Sequence, residues 1–228
     1  MKNKTLWSTK DLIKITAFIV ASSGTLLLGV YLLKNFIDFQ PPILALIVDF
    51  GLVLSIIITY YVYAKKKELN RFDLGFKNVK MRWLFLSVLV GLFVVFVGGG
   101  LSALLSKLLS SDVSMIEEGV ISNKLWLNLF NFKLLIGILV PIAEEIYFRG
   151  VLFKYFRGGY TFIYAGLISS FIFSAIHFDL VLLPFTFTLG FASAYLFEKT
   201  QSIFPSFFVH ITANSVAVSM FLMGICFG

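Results

Sequence analysis

An all-α, polytopic membrane protein of about seven transmembrane helices follows from three observations on this 228-residue chain. It is 59% hydrophobic and only 14% charged, with a mean hydropathy of +0.94, a balance foreign to ordinary soluble domains. Its apolar residues fall into long runs divided by short polar stretches. Its bases cluster beside alternate ends of those runs, so the net charge of +7 reads as orientation signal and headgroup contact, not as a nucleic-acid surface. The length suits a single membrane domain, 1–228, in which 1–124 holds three spans and an outer loop.

Each span has its own justification. Lys2, Lys4 and Lys10 precede the apolar run Leu12 to Leu33, which is too long for a signal-peptide core and reads as a retained first span. Pro41-Pro42 closes a short loop, and Ile43 to Ala64 is the second span, ending in the interfacial aromatics Tyr60, Tyr61 and Tyr63. Asp49 inside it reads as an interhelical bond or, less economically, a proton-relay group. Lys65 to Arg82 is the most basic stretch and marks the cytoplasmic side. Trp83 to Leu105 is the third span, with Gly98-Gly99-Gly100 near its end where a neighbour can approach. Residues 106–124 read as an outer loop or surface helix. The fourth span runs from near Phe130 to Phe156, the fifth from Tyr160 to His177, the sixth from Leu180 to Phe197 and the seventh from Phe204 to Cys226. The single cysteine, Cys226, reads as packing. The basic segments 1–11, 65–82 and 149–159 put the N-terminus in the cytoplasm.

The chemistry concentrates in the fourth span, at Pro141-Ile142-Ala143-Glu144-Glu145-Ile146-Tyr147-Phe148-Arg149-Gly150. A carboxylate at membrane depth costs several kcal/mol unless paired, neutralised or wet, so intramembrane ionisable residues point to function. Glu145 and Arg149 are four apart, on one helical face, acid before base, and can neutralise each other. Glu144 points about 100° away, without a local cation, and is left for chemistry. Pro141, one turn ahead, removes a backbone bond and frees a carbonyl. The chain has two histidines and both lie in apolar spans: His177 shares a face with Phe173, and His210 with Asn214. Together these groups meet the needs of water-activated hydrolysis, a base and oxyanion donors. Glu144 suits the base, His177 the orientation of water or sharing of its proton, and His210 with Asn214 the donors. Helix arithmetic predicts a difficulty, since at 1.5 Å per residue His177 lies about 25 Å along its span and His210 only about 9 Å along its own. The fifth helix should therefore tilt, start late or fail to span, with an irregularity near 157–184.

Glu144-Glu145-x-x-x-Arg149, Phe173-x-x-x-His177 and His210-x-x-x-Asn214 resemble, in order, the three motifs of the CPBP (CAAX protease and bacteriocin-processing, or Abi) intramembrane proteases. The resemblance covers roughly residues 125–220. It implies that 125–228 is a catalytic core hydrolysing a peptide or membrane-associated protein. In that reading Glu144 and His177 activate water, His210 and Asn214 stabilise the oxyanion, and Glu145, Arg149 and Phe173 support the site. Bacterial members are linked to bacteriocin maturation or self-immunity, peptide signalling and surface-protein processing. The composition, rich in Lys, Ile and Phe, suggests an AT-rich bacterium and its plasma membrane. No cofactor is expected, because the motifs do not form His-Glu-x-x-His; the alternative is zinc on Glu144, His177 and His210. Two other readings compete. One is a non-catalytic immunity or regulatory scaffold that keeps the motif for binding. The other is a proton channel or transporter, disfavoured because the polar groups cluster in the C-terminal half.

Overall fold

A computed structural model describes residues 6–33, 41–109 and 136–222. The expectations for Cys226, for residues 110–124 and for the start of the fourth span fall outside these residues.

The described chain is helical, without strands among the described residues. Helix α1 is Thr9–Leu33, α2 Pro41–Lys66 and α3 Met81–Leu109. Three segments then follow one another without a break: α4 Val140–Tyr147, a π-helical stretch Phe148–Phe153, and α5 Lys154–Gly159. Helices α6 Phe162–Ala175, α7 Leu183–Thr200 and α8 Phe204–Leu222 complete the order. Thr9–Leu33, Ile47–Lys66 and Met81–Leu109 are long and apolar enough to cross a membrane. Their outward faces are strongly apolar, as at Phe85, Phe93 and Phe96, which suits contact with lipid tails.

Sequence explains the ends. Ser8 and Asp11 form a capping box on α1: the Asp11 N–H donates to Ser8 Oγ and the Ser8 N–H to Asp11 Oδ2. Helix α3 runs four residues beyond the expected Leu105, to Leu109. At its middle, a Cβ on Gly91 would stand 2.7 Å from the Val209 carbonyl of α8, and one on Gly98 would stand 3.0 Å from Phe185 Cα of α7. Glycine lets α3 lie against both, the role expected of the glycine triplet now placed at its first member. Ser102 adds a side-chain acceptor for the Phe185 N–H, in the first turn of α7 where helix donors lack partners.

The anticipated irregularity near 157–184 is present. Tyr160 and Thr161 are extended and separate α5 from α6. Helix α6 has 14 residues, about 21 Å at 1.5 Å per residue, well short of a 30 Å hydrocarbon core. It ends at Ala175, so His177 sits in the following turn and not within the helix as expected; Phe178 there has φ 51°. Helix α7 correspondingly begins at Leu183, three residues after the expected Leu180. The buried face of α6 is Ala165, Gly166, Ser169, Ser170, Phe173 and Ser174, small residues leading up to one large ring. That face lets α7 approach until Gly190 meets Ser170, and Ser174 bonds Thr186 Oγ1 at 2.6 Å.

The basic segment after α2 is folded. Asn70 Oδ1 accepts the Phe72 and Asp73 N–H groups in an Asx turn. The Ile203 N–H donates to Gly75 O, Ser202 Oγ donates to Lys77 O, and Phe76 packs edge-on to Phe204. A segment read as a topogenic loop is thus a cap on one end of the bundle.

Candidate functional site

The site is assembled on the α4–π–α5 rod. Glu145 and Arg149 are fully buried, with Arg149 Nε 2.8 Å and Nη2 3.4 Å from the two carboxylate oxygens of Glu145. Both have the same helical face, as the spacing predicts. Glu145 Oε1 also takes a second bond, from His210 Nδ1 at 2.9 Å. One carboxylate therefore joins the Arg149 pair to α8. The other ring nitrogen, His210 Nε2, lies 3.5 Å from Glu144 Oε2. Glu144, with its side chain 14% exposed, is the more open of the two acids.

His177 is oriented by the helix that precedes it: Nδ1 bonds the Phe173 carbonyl at 2.8 Å. It shares an electrostatic environment with Glu144, as does His210. Phe173 stands between the groups. Its ring meets those of His177 at 5.0 Å, His210 at 5.5 Å and Phe148 at 4.8 Å, and the Arg149 guanidinium lies 5.9 Å from its centre. Edge-to-face contacts of this kind fix ring orientation as well as burying area.

These bonds dictate tautomers. A carbonyl and an ionised carboxylate only accept, so Nδ1 of each histidine carries a proton. In the neutral state each Nε2 is then a free base. At His210 that nitrogen faces Glu144, so one proton can pass between the two. Imidazoles with Nδ1 so held serve as metal ligands or as proton carriers. Among the described residues, no three His, Cys, Asp or Glu side chains converge to hold a metal ion.

Asn214 is the group whose position differs most from its expected company. Its amide Nδ2 donates to the Ile136 carbonyl at 3.2 Å, and the next residue, Ser215, donates to Gly137 O at 3.3 Å. Those are the carbonyls that the N–H of residue 141 would reach in π and α geometry, and residue 141 is proline. Helix α8 thus supplies the donors that Pro141 lacks. An amide nitrogen carries two N–H donors, so the second remains for a ligand. Asp49, half-buried in α2, has no hydrogen-bond partner among the described residues and lies apart from these contacts.

His210 reaches both acids of the rod directly, and the arms carrying Glu144 and His177 are of similar length measured from their common turn. Glu144 is 16 residues before Tyr160 and His177 is 17 after it, so each is roughly 25 Å from the turn at 1.5 Å per residue. Three contributors were not legible in the motifs. Trp7, fully buried, donates its indole N–H to the Gly150 carbonyl at 2.7 Å. Tyr60 lies so close to Gly150 that a Cβ there would stand 2.8 Å from its hydroxyl. Tyr147 bonds Thr16 across to α1 at 2.7 Å. All three depend on tertiary approach; the one sequence cue was a glycine closing an otherwise bulky motif.

Fold and site together define a helical membrane protein with a buried glutamate–histidine cluster among its C-terminal helices. Within that class the C-terminal part of the chain is similar to CAAX-type membrane proteases. The family model for type II CAAX prenyl endopeptidase Rce1-like proteins matches residues 126–216, which contain every motif residue. "Putative membrane peptidase YdiL" of Bacillus subtilis (strain 168) is 39% identical over 84 residues, covering 37% of this chain and 34% of that protein. The match therefore spans about a third of the relative's length. No solved structure matches the chain.

Proposed function

We propose that the protein is an intramembrane endopeptidase of the glutamic type, cleaving a peptide or membrane-associated protein. The observation that carries the proposal is the Glu144–His210–Glu145–Arg149 chain of contacts, held beside His177 within apolar helices. In this reading Glu144 takes a proton from water, aided by His177 Nε2. His210, once protonated, donates to the developing oxyanion with the free N–H of Asn214. Glu145 and Arg149 hold the His210 ring, and Phe173 holds both imidazoles. The reaction needs no metal here, since the carboxylate and imidazoles supply base and donors; zinc is the alternative to be tested. A bacterial plasma-membrane setting with a cytoplasmic N-terminus fits the basic segments, and bacteriocin processing or immunity and peptide signalling are the fitting roles.

The test is cleavage of a fluorogenic panel, lipidated and plain, by purified protein, with and without chelator. Glu144→Gln and His177→Ala should each lower the rate about 10²-fold or more while leaving the thermal unfolding profile intact. Indifference to chelator supports the metal-free route, and loss with chelator replaces it by zinc. Cleavage that survives Glu144→Gln removes Glu144 as the base. Retained cellular function in that variant favours a scaffold.

A further inference from the structure

Away from the site, at the other end of the rod, lies a cleft of about 310 Å³. Lys154 is ten residues beyond Glu144, roughly 15 Å along the helix at 1.5 Å per residue. The cleft is walled by Phe153, Phe197, Phe72 and Leu6, and lined at its polar edge by Lys77, Lys154 and Arg157. Its charges are unevenly matched. Arg157 is spent: Nε and Nη2 bind Glu198, and Nη1 donates to Tyr160 O. Gln201 is bonded back to Glu198 O. Lys154 Nζ donates to a backbone carbonyl, Asp73 O, and lies 5.3 Å from the Phe197 ring centre. Neither contact cancels a full charge. Lys154 and Lys77 repel each other, Asp73 opposes that repulsion, and its carboxylate is engaged by the Asn70 N–H. The local sum is one positive charge in a half-buried place, with spare ammonium donors on both lysines.

We propose that this cleft binds a singly charged anionic phosphate, supplied by a phospholipid headgroup. The phosphate oxygens would take the free N–H groups of Lys77 and Lys154, and the four apolar side chains would receive the glycerol and first acyl carbons. Position selects the lipid as the source. The cleft opens where the apolar helices end, beneath the folded basic segment 67–80, and an unattached phosphate would leave the apolar wall bare. A headgroup there would tie that segment to the rod bearing Glu144. The proposal is independent of catalysis and holds for a scaffold equally well.

The test uses the full chain in nanodiscs of phosphatidylcholine with phosphatidylglycerol, reading retained lipid by native mass spectrometry. The expected result is preferential retention of phosphatidylglycerol. Lys77→Gln and Lys154→Gln should each weaken it about fivefold, and the pair more than either. Lys65→Gln with Lys66→Gln, bases outside the cleft, should leave it unchanged. Equal losses in both pairs would show diffuse surface charge and overturn the site, as would retention unaffected by the cleft pair. Displacement of the lipid by millimolar inorganic phosphate would make it a free-anion site and overturn the lipid assignment. Displacement by an acidic peptide would assign the cleft to a protein partner instead. Circular dichroism and thermal unfolding confirm that each variant is folded; an unfolded Lys154→Gln leaves the decision to Lys77→Gln.

Discussion

Glu145 does two things with one carboxylate, and its spacing revealed only one of them. The bond to Arg149 follows from four residues of helix, but the bond to His210 needs α8 to arrive. Breaking this buried pair on one side leaves a charge uncompensated. Glu145→Ala and Arg149→Ala should each cost about 3–5 kcal/mol in reversible unfolding in detergent. The double variant should cost much less than their sum; simple additivity would show that the two groups do not compensate each other. Glu145→Gln should also release the His210 tautomer, visible as a change in the ¹⁵N shifts of the ring.

At the scale of elements, the site depends on a rod that is not a regular helix. Pro141 leaves carbonyls open at one end, and the π stretch Phe148–Phe153 widens it in the middle. Proline was legible as a break, yet nothing in the composition announced which donors would mend it. Asn214→Leu should destabilise the protein by about 1–3 kcal/mol, the cost of an unpaired buried carbonyl. In a Pro141→Ala background, where an N–H is restored, the same change should cost distinctly less. A full undiminished cost in that background would mean that Asn214 acts elsewhere. The short α6 has a similar lesson. Its apolar run looked continuous through His177, but the chain turns at Ile176, and His177 sits in that turn with its Nδ1 held by the Phe173 carbonyl.

For the whole molecule, hydropathy made the helical membrane class and most helix positions readable, because burial in lipid leaves long apolar runs with few alternatives. The three motifs named residues that the fold gathers into a candidate site, with Asn214 bonded instead to the Ile136 carbonyl. The order of packing was not readable, since lipid-facing and protein-facing positions are equally apolar and only small residues mark a seam. Gly91 is such a mark, and Gly100, with nothing within 4 Å of its would-be Cβ, is not. Gly91→Val should therefore destabilise the fold by about 1–3 kcal/mol through the α3–α8 contact, whereas Gly100→Ala should be neutral or mildly stabilising. Thermal unfolding in one detergent decides between them; equal effects would mean that α3 does not rest on α8 through Gly91.

The indole of Trp7 gives the molecule a built-in optical reporter. Fully enclosed, hydrogen-bonded to Gly150 and 6.1 Å from the Tyr60 ring, it should emit at short wavelength and be shielded from aqueous quenchers. Any event that loosens the widened stretch of the rod, substrate entry included, should redden that emission. With the other tryptophans replaced by phenylalanine, the fluorescence of one residue near the start of the chain would follow the opening of a site more than a hundred positions away.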